Sequence, residues 1–308
     1  MADKIATRAS YGKALTELGA ENQNIIVMDA DLSGSTQTKK FADKFPERFI
    51  NAGIAECNMM GMAAGLAISG KTVFASTFAM FAAGRAYEII RNSIGYTHAN
   101  VKICATHAGL TVGEDGASHQ CLEDLALMRA IPGMTVINPA DDVSARKLIK
   151  AAAEFNGPCY IRLGRAAVPV LYEEDQQVQI GKALKLKEGK DAVIIATGIM
   201  VATALQAAEL LKADGLEVGV IDMHTIKPID EEAIIEAAKT GAIVTVEEHS
   251  VMGGLGSAVA EVVCQKAPCR MKIVGAQDTF GESGTPDALL EKYHLTAADV
   301  AAAVKSIK

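Results

Sequence analysis

The 308-residue chain contains no tryptophan, and aromatic residues make up only 5% of it. Any core must be built from Ala, Val, Ile, Leu and Met, and with half the residues hydrophobic there is ample material for one. The six cysteines, at positions 57, 104, 121, 159, 264 and 269, include no Cys-x-x-Cys pair. That argues against a zinc site and for reduced, buried thiols in a cytoplasmic protein. Positive charge is in deficit: 30 Lys and Arg against 37 Asp and Glu give a net charge of −7 with no basic patch, so nucleic acid is not an expected partner. No stretch is long and apolar enough to span a bilayer, and the opening MADKIATRAS lacks the apolar run of a signal peptide, so no membrane association is expected. Phosphate-loop signatures are also missing: no GxGxxG, no GxxxxGK(S/T), and no GDG with a following Asn. GEDG at 113–116 and GGLG at 253–256 are distant look-alikes, and GGLG reads as a turn into a helix.

What is present is regular alternation. Residues 7–20 predict a helix capped by Thr7, 24–31 a buried strand ending in acids, and 54–70 a helix dense in small residues and Met. A strand over 72–77, a helix over 78–96 and a strand over 101–106 follow. Next come a glycine-rich loop, a helix over 122–131, a strand over 134–139, a helix over 141–155 and a strand over 159–165. Strand–helix alternation of this kind implies an α/β fold with a mostly parallel sheet covered on both faces. The pattern breaks over 166–190, a polar and acidic stretch that reads as a linker, and then resumes as a second α/β domain.

The loop THAGLTVGEDGASHQ, residues 106–120, carries His107, Asp115 and His119 among three glycines at the end of an apolar strand. Loops at strand ends are where α/β proteins place their chemistry. Asp31, Ser33, Ser35, Glu56, Arg162 and Arg165 fall at other strand ends of the same domain, and Arg with Ser and His suits a phosphate or carboxylate. Arg8 joins them only if its helix packs at that edge. Glu56 opens an otherwise apolar helix. An acid there favours the helix dipole, or it is a carboxyl in a dry place held neutral to donate a hydrogen bond.

Five blocks then resemble a known family: ADLSGST (30–36), INAGIAECNMMGMAAGLA (50–67), ASTFAMF (75–81), GLTVGEDGASHQ (109–120) and GPCYIRLGR (157–165). They are similar, in order, to the transketolase family of thiamine diphosphate enzymes, and VEEHSVMGGLGSAVAE (246–261) resembles that family's C-terminal domain. The resemblance implies a pyrimidine-binding domain over 1–172, a linker over 173–190 and a C-terminal domain over 191–308. The diphosphate-binding domain, with its Mg²⁺ or Ca²⁺, is expected on a separate N-terminal subunit, most simply in an α2β2 heterotetramer, with this chain holding no metal itself. By the same resemblance Glu56 hydrogen-bonds N1′ of the cofactor's aminopyrimidine, Phe81 stacks on that ring, Phe78 lines its pocket, and Asp31 and Leu32 lie near the cofactor. Arg8, Ser35, His107 and Arg165 match a sugar-phosphate clamp, while Asp115 and His119 match residues that read substrate hydroxyls. The implied reaction is transfer of a two-carbon ketol unit between sugar phosphates, with Glu56, His107, Asp115 and His119 as its catalytic groups. Gly84 replaces a further aromatic found in transketolases, and GRAYE (84–88) looks more like 1-deoxyxylulose-5-phosphate synthase. The β subunit of a 2-oxo-acid dehydrogenase shares the layout, but paired histidines in GEDGASHQ fit sugar hydroxyls better. Intact Glu56, Phe81, His107, Asp115 and His119 argue against a subunit that has lost its site.

Overall fold

The computed structural model describes residues 3–308 as two stacked α/β units. The strands are β1 (Lys4–Ala6), β2 (Ile25–Asp29), β3 (Phe49–Asn51), β4 (Thr72–Phe78), β5 (Val101–Thr106), β6 (Thr135–Ile137), β7 (Cys159–Arg162), β8 (Ala167–Pro169), β9 (Leu184–Lys187), β10 (Ala192–Ala196), β11 (Val218–Asp222), β12 (Thr225–Lys227), β13 (Ala242–Ser250) and β14 (Arg270–Ala276). The first sheet has the order β12-β6-β7-β5-β4-β2-β3 and is parallel except for β12. The second has the order β14-β13-β10-β11-β9 and is parallel except for β9.

Central strands β4, β5, β7, β10 and β11 are buried along their whole length, as parallel strands covered by helices on both faces must be. The period of two sorts their side chains. Val73 and Ala75 of β4 pack with Met59, Met60, Ile90 and Ile94 on one face, while Phe74 meets Tyr11, Leu15 and Phe41 on the other. The first of these clusters continues without a break into the second unit through Val193, Ile195, Ile221 and Val259.

Several expectations need correction. The stretch 166–190 is not all linker. β8 pairs antiparallel with β1, and β9 forms an edge of the second sheet beside β11. The alternation Leu-Lys-Leu-Lys in β9 is the pattern of a half-buried edge strand, obscured by its charged surroundings. Thr7 does not cap its helix. Ala6 holds the cap position, and the Thr7 hydroxyl instead accepts the Gly164 N–H at 2.8 Å. Phe78 ends β4, and the expected helix over 78–96 is wound as π-helical turns at Met80–Arg85 and Ile90–Gly95 around a short α-turn at Tyr87–Ile89. The helix 54–70 is observed at Glu56–Ile68.

The two units are riveted by Arg162. This side chain is buried, donates from Nε to Asp124 at 2.9 Å, and donates from Nη2 to the carbonyl of Glu248 at 2.9 Å. Tyr160 donates its hydroxyl to the same Asp124 oxygen at 2.8 Å. Asp124 holds the Arg162 pKa above its ordinary value despite burial. Arg162 is therefore a structural group and not part of an anion site. Arg162→Met should strand the Asp124 charge in the core and lower unfolding free energy by about 3–5 kcal/mol, measured by denaturant titration. A loss below about 1 kcal/mol, the scale of an exposed pair, would show that the ion pair carries no such weight.

Candidate active site

Parallel strands deliver their carboxyl ends to one edge, and the polar side chains collect there. The end of β4 brings Phe78, the π-turn after it brings Phe81, and the end of β5 brings His107. Phe78 and Phe81 stack at 5.7 Å with 17° between their planes, and the His107 ring lies 3.8 Å from Phe78 at 24°. His119 meets both phenylalanines edge-on, at 6.2 and 5.5 Å. Four rings from two loops thus form one platform.

Beside it stands a cationic end. Arg8 donates from Nη1 to the Ser35 carbonyl at 2.8 Å, so its helix does pack at this edge. Arg165 donates to the Val112 carbonyl and to Glu114 at 3.0 Å. His107 is pushed down to about 3, first by burial and then by the charges of Arg8, Arg165 and His119. The Arg8 pKa is lowered, first by burial and then by the charge of Arg165. Two guanidiniums close to a neutral imidazole make a place where an anion relieves repulsion. The His107 backbone sits at φ 57°, a left-handed conformation sparsely populated by non-glycine residues and common at functional sites.

Glu56 occupies the first turn of its helix and is 3% exposed. Its Oε2 has no hydrogen-bond partner, although Arg85 Nε lies 3.5 Å away. A buried carboxyl oxygen without a partner is the kind of group that a ligand nitrogen satisfies. Asp31 is exposed at φ 64° and exchanges hydrogen bonds with the Asn51 amide at 3.0 and 3.1 Å. Leu32 donates its N–H to Asp29 at 2.5 Å, and Thr36 and Thr38 donate to the same carboxylate at 2.6 and 2.9 Å, fixing the loop that presents Leu32 and Ser35. Asp115 stands exposed and is not drawn into the ring platform. Asp29, Asn51 and Arg85 escape sequence reasoning, because an acid, an amide or a surface arginine gives no local signal of its partner. Among the described residues, no group of three or more His, Cys, Asp or Glu is placed to hold a metal, and no helix is long and apolar enough to cross a membrane.

The family descriptions "Transketolase, pyrimidine binding domain" and "Transketolase, C-terminal domain" match residues 3–170 and 181–300. The chain belongs to the transketolase family. It is 54% identical to the putative transketolase C-terminal section of Methanocaldococcus jannaschii, over 96% of this chain and 93% of that protein. It is 42% identical to a 6-deoxy-6-sulfo-D-fructose transketolase subunit of a Clostridium species, over 97% and 94%. A solved structure described as a split gene transketolase, inactive β4 tetramer, matches with a TM-score of 0.93 and 60% identity over 98% of both chains. The transketolase resemblance read from the sequence, and its α/β fold, are therefore confirmed.

The lowered His107 pKa makes the stability of this transketolase chain depend on pH. The unfolded chain takes up a proton at His107 near pH 6.5, while the folded one resists until about 3. Stability is thus complete above 6.5 and falls as pH drops through that window. His107→Gln should flatten the loss of unfolding free energy between pH 7 and 4. Equal slopes for the two proteins would mean that His107 titrates normally.

Proposed function

We propose that this chain is the pyrimidine-binding half of a split, thiamine diphosphate-dependent transketolase that moves a two-carbon ketol unit between sugar phosphates in the cytoplasm. The observation that carries this reading is the unpartnered Glu56 Oε2 in a chain that also stacks Phe78 on Phe81 at the site edge. Thiamine diphosphate, when bound, supplies the electron sink for the transferred fragment. Glu56 holds N1′ of its aminopyrimidine, Phe81 stacks on that ring, Phe78 backs it, and Asp31 and Leu32 border it. Arg8, Ser35, His107 and Arg165 bind the anionic end of the sugar, so binding energy far from the reacting carbon orients the chemistry. Asp115 and His119 read its hydroxyls. A sulfonate presents three oxygens as a phosphate does but carries less negative charge, and one relative is named for a sulfo-sugar. Two arginines suit the larger charge of a phosphate. The domain limits proposed are 1–172 and 191–308, and the joining stretch 173–190 lends strand β9 to the second sheet.

The partner is an N-terminal subunit carrying the diphosphate site and its Mg²⁺ or Ca²⁺. The outer face of the helix Glu56–Ile68 is suited to it: Cys57, Asn58, Gly61, Met62, Gly65 and Ile68 are all exposed, and nothing lies within 4 Å of a side chain built at Gly61 or Gly65. Ile54, just before the helix, is 80% exposed. Apolar side chains next to bare backbone mark a surface that another chain covers. Two copies of each chain complete the proposed assembly, and self-association of this chain through the same helix is the proposed state without the partner.

Ketol transfer, assayed with thiamine diphosphate, Mg²⁺, a ketose phosphate and an aldose phosphate, should appear only when both subunits are mixed. Glu56→Ala should abolish it. Full activity from this chain alone, or 2-oxo-acid decarboxylation in place of ketol transfer, would overturn the proposal; synthesis of a deoxy sugar phosphate from an oxo acid and an aldose phosphate would move it to the synthase relative. Arg8→Leu in the active mixture should raise KM for the ketose phosphate by about tenfold or more, the loss of one charge-assisted contact, with a smaller change in kcat. An unchanged KM would remove Arg8 from the clamp.

A further inference from the structure

β13 is an apolar strand that turns polar at its end, with Glu247, Glu248 and His249 all buried. Two of the three have local duties. Glu247 accepts the N–H groups of Leu255 and Gly256, both at 2.7 Å, so the GGLG turn holds an internal carboxylate at its helix start. His249 donates from Nδ1 to the Ser250 carbonyl at 2.7 Å and accepts the Ala126 N–H at Nε2 at 3.4 Å.

Glu248 reaches elsewhere. Its Oε1 accepts the backbone N–H of Thr111, inside the loop that runs from His107 to His119. Gly109, at φ 81°, lies flush against the same carboxyl: a Cβ there would sit 2.3 Å from its Cδ. The base of the loop is closed by the Ala108–Cys121 bridge and by the Gly109 N–H on the Cys121 carbonyl at 3.0 Å. Arg162 spans both ends of this arrangement, donating to the carbonyls of Glu248 at 2.9 Å and Cys121 at 3.3 Å. Burial drives the Glu248 carboxyl up to about 7, so the fold keeps an acid where it is poorly solvated. A buried apolar side chain of similar size would join the two domains at no such cost. What an apolar residue cannot do is accept the Thr111 N–H.

We propose that Glu248 is a positioning residue through which the C-terminal domain pins the loop carrying His107, Asp115 and His119 in its substrate-binding conformation. The pin stands on the contacts above; its effect on substrate rests on the transketolase reading. Hydrogen exchange of the full chain tests the pin without turnover. Glu248→Ala should speed exchange in residues 107–120 by about tenfold, the scale of one lost buried hydrogen bond, while Ala192–Ala196 exchanges as before. Glu248→Gln keeps an acceptor oxygen and should restore most of the protection. In the two-subunit mixture, Glu248→Ala should raise KM for the ketose phosphate more than it lowers kcat, with Glu248→Gln again intermediate. Thr111→Pro removes the donor without touching β13, and it should reproduce the kinetic change if Glu248→Ala fails to fold. Unchanged exchange in 107–120, or an equal rise throughout the chain, would reduce Glu248 to interdomain packing and end the proposal. Faster loop exchange in Glu248→Ala, alongside a wild-type mixture that performs no ketol transfer, would leave the pin in place and sink the transketolase reading alone.

Discussion

The guanidinium of Arg162 is the joint on which the arrangement of this molecule depends. A planar cation at the end of β7 meets one carboxylate of its own domain, Asp124, and two main-chain carbonyls, one of them from the other domain. A buried arginine tolerates little freedom, because each unsatisfied N–H is expensive to leave dry. Once its position is set, the end of β13 is set against the end of β5, and the two sheets share one hydrophobic interior that passes from Met59 and Ile103 to Ile221 and Val259.

Charge at that edge is organised by what is kept neutral. His107 sits between two arginines and under a phenylalanine ring, so it stays uncharged where an ionised ring would add to the repulsion. Arg165 meanwhile rests on Glu114, an exposed side chain that a stronger anion can displace. The edge therefore gathers positive charge without the burden of an unpaired buried cation.

How much of this was legible beforehand differs by element. The long parallel strands announce themselves because both faces are buried and apolar residues dominate them, as in VKICAT and DAVIIATG. The residues of the site edge were legible for the same topological reason, since strand ends can be counted along the chain. Strands of three residues, such as β1, β8 and β12, are too short for periodicity to register. The π-turns around Phe81 keep an ordinary helical composition, so nothing in the residues distinguishes them from the α-helix expected there. Long-range polar pairs such as Glu248 with Thr111, 137 positions apart, depend on tertiary placement and leave no trace in local sequence.

One strand crosses the line that the sequence draws between the domains. β12 belongs by position to the second domain, yet it hydrogen-bonds to β6 and completes the edge of the first sheet. Its Lys227 ammonium also grips the carbonyls of Arg129 and Ile131, at 2.8 and 2.6 Å. An excised first domain would present Thr135–Ile137 as a naked rim, ready to recruit any other strand. In evolutionary terms, the two domains of this chain are poorly suited to being shuffled apart, because the backbone of one is stitched into the fabric of the other.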